Sequence, residues 1–294
     1  MNKVGFIGVG IMGKSMVRNL MKAGFELHIY ARTKSKVEDV IGEGAQFHES
    51  IKDCVQDCDA VITIVGFPQD VEEEYFDEGN ILDSAKEGAY LIDMTTTSPQ
   101  IAEKIYEEGT KRGFHVMDAP VTGGDTGAKA GTLSILVGGE KEDYEACMPL
   151  FEAMGTNINY QGKAGCGQHC KLANQIMIAG TLSGVCEALT YAKEQGLDPE
   201  VFMKSVATGA AGSKQLDTFG PKILKDDYAP GFFMKHFIKD MKLALIEANR
   251  KGLSLDVLSM VLANYEELEQ EGYGDLGTQA LMKFYDEEHR NTEE

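Results

Sequence analysis

The stretch Val4-Gly5-Phe6-Ile7-Gly8-Val9-Gly10-Ile11-Met12-Gly13 decides the fold of this chain. Its spaced glycines form a G-x-G-x-x-G pattern after a short apolar strand and before a helical pattern. Gly8 is expected to permit a tight strand-to-helix turn, and Gly10 to let backbone amides approach a pyrophosphate. Gly13 would let the helix lie close to the strand, with its positive end facing the phosphates. A glycine-rich turn without a ligand is the alternative, because glycine supplies 33 of the 294 residues.

The first half of the chain alternates strand and helix patterns. Residues 60–65 form a continuous apolar run of strand length, as expected where a parallel sheet is covered on both faces. Helical patterns separate such runs, as over residues 99–112. The alternation predicts an α/β fold with an N-terminal, Rossmann-type, doubly wound parallel sheet. The predicted strands cover residues 4–7, 26–31, 60–65, 90–94, 115–119 and 133–137.

Strand patterns stop after about residue 163, and the remaining chain has helical patterns. Residues 165–195 are predicted to form one long helix, since apolar residues recur there at helical spacing. Small residues along this helix favour close helix–helix contact, which suggests a homodimer or homotetramer. We therefore predict a Rossmann domain over residues 1–163 and an all-α domain over 164–294, joined through the long helix.

The segment after the second predicted strand bears on the choice of nucleotide. An NAD-selective fold places a carboxylate about 20 residues past the glycines to hold the ribose 2′-hydroxyl. Residues 30–36 contain no carboxylate and three cations. Arg32 would hold a 2′-phosphate while Thr33 donates a hydroxyl, so NADP is favoured, with NAD possible. The alternative is that Arg32, Lys34 and Lys36 form a solvated start to the next helix.

Composition and charge exclude several classes of protein. The net charge of −19 disfavours nucleic acid and anionic membrane as partners, and any anionic substrate needs a local cationic site. The acidic end, residues 286–294, is expected to be a solvated tail. No apolar stretch is expected to approach the roughly 20 residues needed to span a bilayer, and no signal peptide is evident, so we expect a cytoplasmic protein. The six irregularly spaced cysteines indicate reduced thiols and no metal site.

Three further segments carry candidate chemistry. Thr122 is followed by two glycines at the end of a predicted strand, where backbone amides would hold a carboxylate; a plain turn is as good an interpretation. Lys171 shares a helix face with Asn174 and Gln175, although a lysine reaching solvent from the helix end is the simpler interpretation. Lys239, beside Asp240, is by itself an ordinary member of a charged pair.

Taken together, these segments resemble the β-hydroxyacid dehydrogenase family, which includes 3-hydroxyisobutyrate dehydrogenase and tartronate semialdehyde reductase. The resemblance covers essentially the whole chain, and its motifs appear in order across both predicted domains. They occupy residues 5–13, 93–99, 118–124, 131–133, 167–174 and 239–240.

The resemblance implies a role for each matching residue. Lys171 would be the catalytic general acid/base. A small-molecule carboxylate would be the substrate, bound by Thr122, Gly123, Gly124, Asn174, Gln175 and Lys239. The cofactor would be bound by Gly8, Gly10, Ile11, Met12, Gly13, Arg32, Thr33, Lys36, Val65, Gly66, Pro68, Thr96 and Lys239.

Two departures from the family pattern leave the substrate open. Many relatives carry serine at the position of Thr122, and the common Lys-x-x-Asn-Asn ends here in Gln175. The expected reaction is hydride transfer between NADP(H) and a short β-hydroxyacid or semialdehyde, such as 3-hydroxyisobutyrate or tartronate semialdehyde. Succinic semialdehyde and glyoxylate reduction, a 6-phosphogluconate dehydrogenase-like activity, imine reduction and a non-catalytic NADPH-binding module are the alternatives. The absence of an evident basic cluster disfavours the 6-phosphogluconate dehydrogenase-like activity. The presence of Lys171 disfavours imine reduction.

Overall fold

A computed structural model describes residues 1–285, so the acidic end predicted to be a tail lies outside the described residues. The chain forms two compact units, Met1–Lys171 and a second that begins at Leu172. The strands of the first unit are β1 (Lys3–Ile7), β2 (Glu26–Tyr30), β3 (Gln46–His48), β4 (Ala60–Thr63), β5 (Tyr90–Asp93), β6 (His115–Asp118), β7 (Val121–Thr122), β8 (Leu133–Gly139) and β9 (Gly155–Gly162). Its helices are α1 (Ile11–Lys22), α2 (Glu38–Gly42), α3 (Ile51–Val55), α4 (Pro68–Phe76), α5 (Ile81–Ser84), α6 (Pro99–Lys111), α7 (Gly124–Ala130), α8 (Lys141–Ala146) and α9 (Met148–Met154), with a 3₁₀ helix at Lys34–Lys36.

The strands of the first unit form one sheet in the order β3-β2-β1-β4-β5-β6, and β8 follows β6. All pairs from β3 to β6 are parallel, which confirms the Rossmann-type prediction. The order reverses between β1 and β4, so the loops that follow these two strands lie at the topological switch point. Each of the six predicted strands differs from the observed one by at most two residues at either end.

The far end of the sheet differs from the predicted parallel arrangement. Strand β8 runs antiparallel to both β6 and β7, and β9 runs parallel to β8. Pro120 separates β6 from β7 and cannot donate a ladder hydrogen bond, while its carbonyl accepts one from the amide of Leu136. Strands β3, β7 and β9 were not predicted, because two of them are very short and β9 is a largely exposed polar strand.

Both faces of the central strands of the sheet are buried. Successive residues of one strand enter different hydrophobic clusters, as Phe6 and Ile7 do on β1 and Leu91 and Ile92 do on β5. Because neighbouring side chains of a strand point to opposite faces, the two clusters cover the two sides of the sheet. This double coverage explains why β4 and β5 are continuous apolar runs in the sequence.

The second unit is helical. The long helix α10 (Cys166–Glu194) begins in the first unit and continues into the second. The predicted apolar spacing is confirmed, since Leu172, Leu182 and Leu189 belong to the core of this unit. The helices that follow are α11 (Pro199–Ala207), α12 (Lys214–Ile223), α13 (Met234–Arg250) and α14 (Asp256–Gln270), with 3₁₀ helices at Tyr273–Asp275 and Thr278–Tyr285.

Helix α10 is more apolar than the sequence analysis expected. Within residues 1–285 it is the one helix whose length and composition would allow it to cross a bilayer, which corrects the expectation that no stretch approaches that length. A core helix of a soluble protein can have the same length and composition. In α10, nearly half of the most apolar window is buried in the protein. The self-association expected from its small residues stays a prediction.

Glycines in two helices offer a matched test of packing. A Cβ on Gly109 of α6 would lie 2.6 Å from the Val116 side chain of β6, whereas one on Gly184 of α10 would have no heavy atom within 4 Å. Both alanine variants gain helix propensity, so Gly184→Ala should raise stability by up to about 1 kcal/mol. Gly109→Ala should lower it by about 1–2 kcal/mol, because overpacking outweighs the propensity gain. Urea unfolding followed by circular dichroism measures both, and equal effects would contradict the packing argument.

Candidate functional site

The glycine loop between β1 and α1 has three distinct constraints. Gly8 has a φ of +94°, and a Cβ there would collide with the carbonyl oxygen of Ile64 in the loop after β4. A Cβ on Gly13 would collide with the carbonyl oxygen of Gly8, so this glycine lets α1 lie against the turn. A Cβ on Gly10 would have no heavy atom within 4 Å, so the space above the loop is open. Gly8 and Gly13 are therefore required by packing, and Gly10 is not.

The first turn of α1 is suited to an anion. Gly10 caps the helix without a side chain, and no acidic residue lies in its first turn, which contains Ile11 and Met12. The amides of such a turn point outward with the positive end of the helix dipole. With the open space above Gly10, this turn fits a pyrophosphate.

Loops at the carboxyl ends of neighbouring strands converge on the same edge of the sheet. The amide of Ile64 donates to the Ile7 carbonyl over 3.0 Å, and the amide of Val65 donates to the Thr95 hydroxyl over 3.0 Å. Among the predicted cofactor residues, Gly66 and Pro68 follow Val65, and Thr96 follows Thr95. The structure therefore brings the glycine loop and the loops after β4 and β5 together.

Arg32 lies two residues past the end of β2, and its side chain is 69% exposed. Its Nη2 lies 3.1 Å from Oδ1 of Asp70 in the first turn of α4. Thr33 caps the 3₁₀ helix that contains Lys36, and both are exposed. Sequence reasoning missed Asp70, because it searched for a carboxylate only at the end of β2. The signal available was an acidic residue three positions after a helix N-cap.

Glu74 is a second carboxyl group of α4 close to this corner. It is 8% exposed, and its Oε2 has no hydrogen-bond partner within residues 1–285. Burial raises the pKa of Glu74 to about 7, and the positive charge of Arg32 opposes this rise. Sequence reasoning had no signal for this group, since its burial depends on how α4 packs.

Lys171 lies in the second turn of α10 and is buried, with 7% exposure. The start of its helix is fixed by Asp118 at the end of β6, whose two carboxylate oxygens accept from the amides of Gly165 and Gln168, each over 2.8 Å. Burial raises the pKa of Asp118, while these amide donors oppose the rise. A buried carboxylate held in this way stabilises a helix start.

The side chain of Gln168 ties the same helix turn to the loop after β5. Its Oε1 accepts from the amide of Thr97 over 3.0 Å, and its Nε2 donates to the carbonyl of Thr95 over 2.7 Å. Gln168 is fully buried. Neither Gln168 nor Asp118 was among the predicted site residues, although Asp118 ends a parallel strand, where functional side chains are common.

The Thr122-Gly123-Gly124 segment forms the turn from β7 to α7. Gly123 has a φ of +130° and Gly124 a φ of +63°, backbone conformations that residues other than glycine rarely adopt. Gly123 caps α7, so the amides that follow it point away from the helix start. Thr122 is half-buried, and its backbone pairs with Ser134 of β8.

A hydrogen-bonded network links the predicted residues of the second unit. The Asn174 amide donates to Oε1 of Gln175 over 2.8 Å, and Nε2 of Gln175 donates to Oδ2 of Asp240 over 2.7 Å. Nζ of Lys239 lies 3.1 Å from Oδ1 of Asp240. Asp240 is fully buried and connects the other members, yet it was not a predicted site residue. The adjacent Lys239 was the available signal.

The six cysteines lie on several elements, and Cys166 and Cys170 belong to the first two turns of α10. All six are free thiols, and burial raises the pKa of those in the cores, such as Cys54 and Cys186. Within residues 1–285, no three His, Cys, Asp or Glu side chains are grouped to hold a metal.

Comparisons with known proteins cover nearly the whole chain. Residues 3–162 match the family described as the NAD binding domain of 6-phosphogluconate dehydrogenase. Residues 165–285 match the family described as NAD-binding of NADP-dependent 3-hydroxyisobutyrate dehydrogenase.

Individual relatives and structures are similar over most of their length. A probable 3-hydroxyisobutyrate dehydrogenase-like 1 of Arabidopsis thaliana is 44% identical, over 95% of this chain and 84% of that protein. The 2-hydroxy-3-oxopropionate reductase of Escherichia coli is 36% identical, over 86% of each. A Mycobacterium tuberculosis 3-hydroxyisobutyrate dehydrogenase, solved with L-serine, is 26% identical and covers 96% of this chain and 98% of that one, with a TM-score of 0.88.

Alanine at two positions of the glycine loop should separate folding from binding. Gly8→Ala is expected to destabilise the first unit by about 3 kcal/mol, because it combines a strained φ with a collision. Gly10→Ala should change stability by no more than about 1 kcal/mol, since its Cβ enters open space. Its NADPH affinity should fall about tenfold, because that space is where a pyrophosphate would lie. Thermal unfolding and fluorescence titration measure the two effects, and a Gly10→Ala protein that binds normally would contradict this assignment.

Replacement of Glu74 by glutamine should make stability less dependent on pH. The pKa of Glu74 is raised from 4.5 to about 7 in the folded protein, so the native state holds a proton that the unfolded chain releases between these values. Glu74 therefore lowers stability progressively from about pH 4.5 to 7, and the full cost persists above pH 7. The stability of Glu74→Gln should exceed that of the parent by about 3 kcal/mol at pH 8 and by little at pH 4.5.

Urea unfolding at pH 4.5 and pH 8 provides the measurement. The matched control is Glu107→Gln, which alters an exposed glutamate of α6 and should leave the pH dependence unchanged. A Glu74→Gln effect of the same size at both pH values would show that packing, not titration, is responsible.

Proposed function

The chain belongs to the β-hydroxyacid dehydrogenase family, and we propose that it reduces short semialdehydes carrying a carboxylate, and oxidises the corresponding hydroxyacids, with NADP(H). It is an NAD(P)-dependent oxidoreductase of the hydroxyacid dehydrogenase type. The observation that carries the finer proposal is the burial of the Lys171 side chain in the second turn of a helix whose start Asp118 and Gln168 fix in place. A lysine is rarely buried without a specific partner or role.

Lys171 is the proposed general acid/base. In reduction its ammonium group donates a proton to the substrate carbonyl oxygen, and in oxidation its neutral amine accepts the hydroxyl proton. NADP(H), when bound, supplies or accepts the hydride at C4 of the nicotinamide. The hydrogen bonds of Gln168 support this role, because they restrict the helix turn from which the Lys171 side chain extends.

Two groups of residues are proposed to hold the substrate. In the first unit, the Thr122 hydroxyl and the amides after Gly123 would donate hydrogen bonds to the substrate carboxylate, as helix-start amides do to anions. In the second unit, Asn174 would position the substrate. Gln175 accepts a hydrogen bond from the side-chain amide of Asn174 and so holds that amide in one orientation. Local cationic side chains such as Lys239 counter the net charge of −19 that an anionic substrate meets.

The cofactor proposal rests on the first unit. The glycine loop and the start of α1 fit the pyrophosphate, and Arg32 and Thr33 extend past β2, where the adenosine ribose binds in such folds. An exposed guanidinium suits a 2′-phosphate, which favours NADP over NAD.

The proposed substrates are 3-hydroxyisobutyrate and tartronate semialdehyde, since relatives carry the names of enzymes acting on these compounds. The structure solved with L-serine concerns a similar protein and indicates that a short polar hydroxyacid is an alternative ligand. Oxidation of NADPH and NADH should be measured with methylmalonate semialdehyde, tartronate semialdehyde, succinic semialdehyde and glyoxylate. Turnover of none of them would favour a non-catalytic nucleotide-binding module.

Replacement of Lys171 by alanine should separate chemistry from cofactor binding. We expect turnover to fall at least about a hundredfold, because the proton donor is lost, while NADPH affinity changes little. The matched control is Lys163→Ala, which removes an exposed lysine just before α10 and should retain turnover. Steady-state kinetics and fluorescence titration provide the measurements. A Lys171→Ala enzyme with normal turnover would refute the assignment.

A further inference from the structure

The corner of the first unit beyond β2 carries more negative charge than the sequence around Arg32 indicates. Arg32 is exposed, but its Nη2 lies 3.1 Å from Oδ1 of Asp70 on α4. Glu74, one helical turn further along α4, is buried close enough for Arg32 to affect its titration. The guanidinium that would receive a 2′-phosphate is therefore already paired with a carboxylate.

Asp70 is the fixed member of this pair. Its Oδ2 accepts a hydrogen bond of 2.9 Å from the amide of Phe67, the residue that caps α4, and its side chain is 16% exposed. Arg32 has 69% of its side chain exposed and is attached to a loop. A bound phosphate would therefore draw Arg32 away from Asp70, since Asp70 is held at the helix start.

A 2′-phosphate at this corner would meet two opposing effects. The Arg32 guanidinium attracts it, whereas the Asp70 carboxylate repels it and competes for the same donors. A phosphate monoester carries a charge of about −1.5 to −2 at neutral pH, so the repulsion is specific to the phosphorylated cofactor. The 2′-hydroxyl of NADH has no charge, and its binding does not require the Arg32–Asp70 pair to break.

We propose that Asp70 is a specificity-determining residue for the cofactor: it competes with the 2′-phosphate for Arg32 and so narrows the preference for NADPH over NADH. The inference rests on the proposed contact between Arg32 and the phosphate. It assigns to α4 a part in cofactor choice, in addition to the segment after β2.

The test compares dissociation constants of NADPH and NADH for the parent and for Asp70→Asn, by fluorescence titration at low salt. Asparagine keeps the size of the side chain and an oxygen for the Phe67 amide. An exposed ion pair contributes modestly, so NADPH should bind about threefold more tightly to Asp70→Asn, with NADH affinity unchanged. Asp70→Ser, which also retains an acceptor for the Phe67 amide, should give the same direction if asparagine perturbs folding.

Arg32→Ala and the double variant show whether Asp70 acts through Arg32. Arg32→Ala should weaken NADPH about tenfold and leave NADH nearly unchanged, and the gain from Asp70→Asn should shrink in its background. Glu72→Gln is the matched control, because it removes one charge from α4 at a residue that pairs with Lys104, and it should alter neither constant.

Five results would overturn the proposal: weaker NADPH binding by Asp70→Asn, no effect of Asp70→Asn, equal changes for both cofactors, an undiminished gain without Arg32, or an equal gain from Glu72→Gln. The first would mean that Asp70 orients Arg32 toward the phosphate. If Arg32→Ala leaves NADPH affinity unchanged, the proposed phosphate contact itself fails. If Arg32→Ala weakens NADPH but Asp70→Asn has no effect, only the role of Asp70 fails.

Discussion

The two hydrogen bonds from the amides of Gly165 and Gln168 to the Asp118 carboxylate fix the start of α10, and the position of Lys171 depends on them. They join the carboxyl end of β6 to the first turn of the helix. A charge this deeply buried is stable only because amide donors surround it. Close approach is also necessary, since a Cβ on Gly138 or Gly167 would lie within 3 Å of an Asp118 oxygen or of backbone atoms. Small residues around Asp118 are therefore part of the same constraint.

In each unit, a glutamine side chain forms further hydrogen bonds that hold the candidate site residues in position. Gln168 uses both its donor and its acceptor on the loop after β5, so the turn before Lys171 is held from two strands. In the second unit, Gln175 connects Asn174 to the buried Asp240. Gln175 is the residue that departs from the common family pattern. Its side chain forms hydrogen bonds with both Asn174 and Asp240, one as acceptor and one as donor. Polar networks of this kind restrict the orientation of the side chains that a reaction requires.

The main features of the fold followed from local patterns. Continuous apolar runs such as residues 60–65 predicted buried parallel strands, and the spacing of Leu172 and Leu182 predicted the long helix. The antiparallel pairing of β8 with β6 and β7 was not predicted, because the direction of pairing depends on where Pro120 interrupts the chain. The site residues stay predictions, and several of their polar partners were missed. Asp70, Gln168 and Asp240 act through partners distant in sequence, and a single chain gives no spacing rule for such pairs.

Short-range spacing and backbone conformation were enough to predict the glycine loop, six of the nine strands, the long helix and the residues that carry the family resemblance. Gly8 is an example, since a turn with positive φ restricts the residue type wherever it occurs. The pairing of charges, in contrast, depends on how the chain folds. Arg32 stood in a sequence segment without a carboxylate, and the packing of α4 placed Asp70 beside it. Electrostatic pairing depends on distance in space, so the glycine loop specifies a dinucleotide site while the folded chain sets the charge around it.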